Sequence, residues 1–264
     1  MSIQYKSLSI AGFDGSGGAG IQADLKTFSA LGCYGMTVLT ALPVQNTCGV
    51  FSCYPLPLSA IAEQLEAIFT DIRPDSIKIG MLYSAEIISL VADFLAKNGT
   101  DIPIVLDPVM MAKGGGALLQ PQAIHVLKEK LIPLSTVITP NLPEADLLLA
   151  KQGLSMSETA AELLKLGSPY VLLKAGHADG VDANDLLTDG QHETWLESPR
   201  IISKNTHGTG CTLSAAIAAN LARGLSMEQA CHEAKDYVFQ AIKSAADHSV
   251  GHGHGPVHHF YRWW

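Results

Sequence analysis

Long apolar runs are missing from this chain of 264 residues. Nothing approaches the ~18 consecutive apolar residues that a membrane-spanning helix needs, even though the mean hydropathy is positive, at +0.21. Basic clusters are missing as well. The chain carries 17 Lys and Arg against 25 Asp and Glu, a net charge of −8, which argues against a nucleic-acid surface. Cysteine is scarce: five residues, an odd number at wide spacing, form neither a disulfide framework nor a zinc pattern. The opening Met1-Ser2-Ile3-Gln4-Tyr5-Lys6 lacks the apolar core of a signal peptide. No repeat, linker or low-complexity stretch breaks the chain. No Gly-x-x-x-x-Gly-Lys-Ser/Thr run occurs, which excludes a Walker-type nucleotide site. These absences leave a soluble cytoplasmic protein with reduced thiols. It has no nucleic-acid or membrane partner, and residues 1–264 form a single domain with ample apolar content, 47%, for one thick core.

What is present is alternation. Ser7–Gly12 reads as a first strand, followed by a glycine turn and a helix to Leu31. Met36–Leu42 and Val50–Tyr54 read as strands, and Leu58–Ile72 as an amphipathic helix with Leu58, Ile61, Leu65 and Ile68 on one face. Ser76–Ile79, Ile104–Leu106, Val137–Thr139 and Tyr170–Leu173 have the apolar continuity of buried parallel strands. Helical patterns fill the gaps near Ala85–Lys97, Gln122–Leu131 and Glu158–Leu166, and a hairpin is expected around Asp189-Gly190. Further helices are expected from Leu213 to Arg223 and from Met227 to about Ala246. The pattern predicts an α/β fold, a three-layer α/β/α sandwich on a mostly parallel sheet. In such sheets the working groups lie beyond the carboxyl ends of strands. Asp14, Gln45, Asp107, Asn141 and Lys174 fall at such places.

Asn205-Thr206-His207-Gly208-Thr209-Gly210-Cys211-Thr212 is a glycine-rich turn running into a helix. A helix start offers unpaired N–H groups and positive potential, and glycine lets a ligand come close, so Gly208, Thr209, Gly210 and Cys211 form a candidate phosphate cradle. Cys211 has two readings. One is a small buried residue at a helix start. The other is a base for a substrate hydroxyl, with its pKa lowered by the helix terminus. A second turn, Gly15-x-Gly17-x-x-Gly20, has the form of a dinucleotide fingerprint. It lacks the acidic residue about 20 positions on that would hold a ribose, for no Asp or Glu occurs between Asp24 and Glu63. A ligand-facing turn flanked by Asp14 and Asp24 is preferred. Thr139-Pro140-Asn141-Leu142-Pro143-Glu144 opens a helix. Asn141 and Glu144 there make a capping box, or else Glu144 and Asp107 hold Mg²⁺ through water. Lys174, in Lys174-Ala175-Gly176-His177, either neutralises phosphates at a strand exit or snorkels at the surface. His252, His254, His258 and His259 read as solvent-exposed loop residues.

Together these stretches resemble the ribokinase superfamily, and within it the hydroxymethylpyrimidine/phosphomethylpyrimidine kinases of thiamine biosynthesis. The resemblance spans nearly the whole chain. It is carried by Ala11-Gly12 with Ser16–Thr27, by Gln45-Asn46-Thr47, Lys78-Ile79-Gly80-Met81-Leu82 and Asp107-Pro108-Val109-Met110, and by Thr139–Ala145, Asn205–Thr212 and Gly255–Phe260. It implies a ribokinase-like fold and two successive phosphorylations, of hydroxymethylpyrimidine and then of its phosphate, with ATP and Mg²⁺. It places the pyrimidine near Gly12, Ala19, Asp24, Gln45, Met81 and Val109. Lys174, Asn141 and Thr209 fall near the nucleotide phosphates, Asp107, Asn141 and Glu144 around the metal, and Cys211 at the hydroxyl as base. It also implies a homodimer. Pyridoxal or pyridoxine phosphorylation on the same scaffold is the alternative chemistry, and a non-catalytic pyrimidine sensor the alternative class.

Overall fold

The computed structural model describes residues 5–111, 118–176 and 182–264. Its strands are β1 (Lys6–Ala11), β2 (Tyr34–Leu39), β3 (Ala41–Asn46), β4 (Gly49–Pro55), β5 (Ser76–Ile79), β6 (Ile104–Leu106), β7 (Val137–Ile138), β8 (Tyr170–Leu173), β9 (Asp185–Thr188) and β10 (Glu193–Leu196). Its helices are α1 (Gly20–Ala30), α2 (Leu58–Asp71), α3 (Ala85–Asn98), α4 (Ala123–Val126), α5 (Leu142–Leu149), α6 (Met156–Leu164), α7 (Thr209–Ala222) and α8 (Met227–Ala245). Eight strands form one sheet in the order β10-β9-β8-β7-β6-β5-β1-β2. β2, β1, β5, β6, β7 and β8 run parallel, and the β9–β10 hairpin continues the edge antiparallel. The alternating apolar pattern thus produces the expected mostly parallel sheet with helices on both sides.

Strand side chains point alternately to the two faces, and this divides the core in two. Leu8, Ile10, Met36, Val38, Ile77, Ile79, Ile104, Leu106, Val171 and Leu173 pack under α2–α6. Val105, Val137, Leu172 and Leu187 face the other way, against α1, α7 and α8. α7 is buried on nearly every side, with Ser214, Ala215, Ala216, Ala218 and Ala219 all within the core. Its small side chains bring its axis close to the sheet and set its N-terminus beside the carboxyl ends of the central strands.

Two elements differ from the sequence expectation. The run read as one strand, Met36–Leu42, is two. β2 stops at Leu39 and β3 starts at Ala41. Thr40 lies between them, its N–H donating to Ala11 O at 3.0 Å and its hydroxyl to Met81 O at 2.7 Å. β3 then leaves the sheet and pairs only with β4, as a separate two-stranded ribbon. The helix expected over Gln122–Leu131 keeps its place but widens after Val126 into a π-helical turn, Leu127–Leu131, which passes into a short 3-10 segment, Ile132–Leu134. Among the described residues no helix is long and apolar enough to cross a membrane.

Candidate active site

A cavity of ≈ 850 Å³ opens over the carboxyl ends of β1, β5, β6 and β8 and the N-terminus of α7. Its lining includes Gly12, Ala19, Gln45, Met81 and Val109 together with Asp107, Asn141, Glu144, Lys174 and Gly208–Cys211. Of the strand-end and turn residues named from sequence, Asp14 and Asp24 are not in its lining. Asp24 is fully buried behind the wall, where its carboxylate accepts hydrogen bonds from Lys78 Nζ at 2.8 and 2.9 Å and from Ser9 Oγ at 2.5 Å. Its expected contact with a ring or hydroxymethyl arm is therefore corrected. The carboxylate is consumed by a lysine that comes from 54 residues further along the chain.

The two glycine turns lie back to back. Asp14 is completely buried and caps the first turn from within, accepting from Ser16 N, Ser16 Oγ, Gly18 N and Ala19 N at 2.7–3.0 Å. Its second oxygen also meets His207 Nε2 at 2.8 Å. Burial pushes this carboxyl up, but the His207 and Ser16 hydrogen bonds outweigh it and hold Asp14 below the usual carboxylate range. Asp14 thus fastens the first turn to the second rather than facing a ligand, while Gly12, Phe13, Ala19 and Gly20 carry the cavity wall. Gly208, the N-cap of α7, has φ +78°, and a Cβ there would stand 1.7 Å from Gly18 O. Both the backbone conformation and the close approach require glycine. The first turn of α7, with Gly208–Cys211, lines the cavity at the positive end of the helix.

Cys211 sits in that first turn, with the Gly20 amide directed at its sulfur. The sequence led to a lowered pKa. The structure reverses it: burial pushes the thiol up to about 11, against the opposing pull of Lys78, with Asp24 and Asp107 adding to the rise. Desolvation of the thiolate here exceeds the combined pull of Lys78 and the Gly20 amide.

At the other end of the turn, Lys174 Nζ contacts Asp107 Oδ1 at 2.9 Å and lies against Gly210. The lysine ammonium is turned into the cavity, not out to solvent. Asp107 also accepts from Thr139 Oγ1 at 3.4 Å and Ser214 Oγ at 3.2 Å. The capping box at Asn141 and Glu144 is formed, with both reciprocal bonds at 2.9 Å. Yet Glu144 also faces the cavity, and burial, with Asp107 nearby, raises its carboxyl to about 7 despite Lys174. Structural and functional readings of this residue are thus compatible. Two neighbouring carboxylates that share one lysine form a donor set of hard oxygens, which fits Mg²⁺.

Sequence reasoning missed three parts. Lys78 lines the cavity from within a buried strand. The far wall is apolar, from Leu213, Val238, Phe239 and Ile242, with Lys235 bonded to Asp185 at 2.6 Å. Its only prior signal is the amphipathic pattern of α8. The ribbon contributes Pro43 and Val50 beside Gln45, whose Nε2 donates to Phe13 O at 3.2 Å. One histidine is also corrected: His259 is buried, 3.1 Å from Thr212 Oγ1 on α7. His177 lies outside the described residues.

A profile of the phosphomethylpyrimidine kinase family matches residues 14–258. The hydroxymethylpyrimidine/phosphomethylpyrimidine kinase of Escherichia coli is 48% identical over 99% of both chains. Among solved structures, the ADP complex of Bacillus subtilis pyridoxal kinase superposes with a TM-score of 0.89 at 40% identity, covering 97% of each chain. The phosphomethylpyrimidine kinase of Clostridium difficile gives 0.80 at 44% identity, covering 90% of this chain and 99% of that one.

Proposed function

The chain belongs to the phosphomethylpyrimidine kinase family, and we propose that it transfers phosphate from ATP to 4-amino-5-hydroxymethyl-2-methylpyrimidine and then to the resulting monophosphate, supplying the pyrimidine half of thiamine. The observation that carries this reading is one continuous cavity. It is lined both by Gly12, Gln45 and Met81 and by the α7 N-terminus with Lys174.

In the proposed arrangement Gln45 offers a donor and an acceptor to the aminopyrimidine edge. Met81, held close over Gly12, packs on the ring. The N–H groups of Gly208–Cys211 and the Lys174 ammonium receive the transferring phosphoryl group and stabilise the charge that develops on it. Asp107, Asn141 and Glu144 would hold Mg²⁺, largely through water, and the ion would neutralise phosphate oxygens. The apolar wall from α8 accommodates the nucleotide base. Cys211 accepts the hydroxyl proton as its thiolate. Phosphoryl transfer is largely dissociative, so that proton must leave only late. A thiol with a raised pKa is, once ionised, a correspondingly strong acceptor. A homodimer is part of the proposal, supported by the ribbon's exposed Leu42, Val44, Phe51 and Tyr54.

The test is ADP formation with hydroxymethylpyrimidine, its monophosphate and pyridoxal side by side. The reading expects turnover of both pyrimidines and a lower kcat/KM for pyridoxal. A clear preference for pyridoxal, whose kinases superpose closely, would reassign the substrate. Tight pyrimidine binding with no ADP formed would make the chain a sensor.

A further inference from the structure

His207 lines the cavity, yet the proposed phosphate chemistry gives it no task. It stands directly before Gly208, the N-cap of α7. Its ring reaches the first glycine turn, 193 residues away in the chain, and sets Nε2 2.8 Å from Asp14 Oδ2. An ionised carboxylate only accepts, so Nε2 carries the proton and donates. The first turn closes without this bond. Asp14 Oδ1 accepts from Ser16 N and Ser16 Oγ, and Oδ2 from Gly18 N and Ala19 N. The base of the turn is tied separately. Ile21 N donates to Gly12 O at 3.0 Å, and Asp14 N to Gln22 Oε1 at 2.8 Å. What His207 adds is a link from this turn to the second. Two steric contacts tighten the same joint. A Cβ at Gly18 would stand 2.4 Å from His207 Cδ2, and one at Gly208 would stand 1.7 Å from Gly18 O. From behind, His207 N donates to Gly255 O at 2.9 Å, beside a bridge between His207 and Pro256. The imidazole is therefore held by its backbone, its ring edge and its Nε2. The turns that it joins bring Gly12 and Ala19 from one side and Gly208–Cys211 from the other to the cavity wall.

We infer that His207 is a positioning residue: through Asp14 it sets the first glycine turn against the α7 N-terminus and so keeps the acceptor hydroxyl in line with the phosphoryl group. The inference rests on the kinase reading of the cavity and adds how its two parts are kept in register. In that reading the pyrimidine lies against Gly12 and Ala19, and the phosphoryl group against Gly208–Cys211. The reacting oxygen and phosphorus then belong to different turns, so the spacing of the turns sets the spacing of the reactants. A misplacement of about 1 Å can cost about 10²-fold in rate. Affinity for the ring depends on the first turn and the ribbon, and not on the link. A hydrogen bond that served only to stabilise the turn could come from within it, as the one from Ser16 Oγ does.

The experiment measures phosphate-ester formation from hydroxymethylpyrimidine and MgATP, with pyrimidine binding by calorimetry on the same preparations. His207→Leu removes the donor and is expected to lower kcat about 10²-fold, with pyrimidine affinity nearly unchanged. His207→Gln can place an amide N–H where Nε2 stands and is expected to restore most of that loss. Ser16→Ala takes a hydrogen bond from the same carboxylate without touching the link. It is expected to lower Tm and leave kcat near the parent value. His207→Asn, whose shorter amide stops short of Asp14, is the variant to read if His207→Leu does not fold, and its kcat is expected to fall in the same way. Circular dichroism establishes folding in each case. A folded His207→Leu or His207→Asn with parental kcat would overturn the inference. So would weakened pyrimidine binding at unchanged kcat, which would put His207 on the ring itself. A kcat loss as large in Ser16→Ala would also overturn it, since any loosening of the turn would then suffice. A parent that forms no ester fails the kinase reading and the inference with it, whereas an active parent with equally active His207 variants fails the inference alone.

Discussion

Along β5, adjacent side chains meet opposite surroundings. Ile77 and Ile79 enter the apolar layer under α2–α6. Lys78, between them, enters the layer under α1 and α7 and meets Asp24. The same division holds across the central strands. On β1, Leu8 and Ile10 belong to the first layer, while Ser7 and Ser9 are fully buried on the other side. On β1, β5 and β6 one face is packed by apolar side chains, as stability requires. The other gives up apolar area to serine, aspartate and lysine at the strands nearest the α7 N-terminus, and regains it only toward α8.

The largest break in this comparison is expected from Ile77→Ala. It should lower unfolding free energy by about 2–5 kcal/mol, the usual range for truncating a buried isoleucine. It should leave the kcat of the protein that remains folded near the parent value. Urea unfolding with parallel ADP assays checks both. A large loss of kcat at unchanged stability would mean that the two faces are not separable.

A smaller effect sharpens the comparison at the tail. Burial lowers His259 to about 3, with Lys26 and His258 adding to the shift. The native state therefore stays neutral there, while the unfolded chain protonates near the ordinary 6.5. Between those limits the unfolded state binds more protons. Stability should thus be unaffected by this group above pH 6.5 and decline as pH falls toward about 3, by up to ~1.4 kcal/mol per pH unit. His259→Gln, which keeps a partner for Thr212, should show a shallower acid loss of Tm than the parent. Equal slopes would show that His259 is not held neutral.

How much of this was legible in the sequence depends on how local the cause is. Strand and helix placement follow from periodicity within each segment, and the Asn141–Glu144 box from a spacing of a few residues. The helix start at Gly208 could be read because a glycine turn running into an apolar helical stretch is written in consecutive residues. The break at Thr40 could not, since it is set by partners at Ala11 and Met81. Asp24 and Lys78 were misassigned or overlooked for the same reason: each looks solvated until the other is placed beside it. The Cys211 shift was misjudged because the helix terminus is visible in sequence, whereas the burial that outweighs it is a property of the whole site.

The central claim is that Cys211 receives the hydroxyl proton at the α7 terminus, and Cys211→Ala measures it most directly. Initial rates of ADP formation should be compared with calorimetric binding of hydroxymethylpyrimidine to the same preparations. The account predicts a kcat lower by ~10²–10⁴-fold, the span of a general base, with pyrimidine affinity nearly unchanged. Turnover close to that of the parent would contradict it and return Cys211 to the role of a buried residue at a helix start.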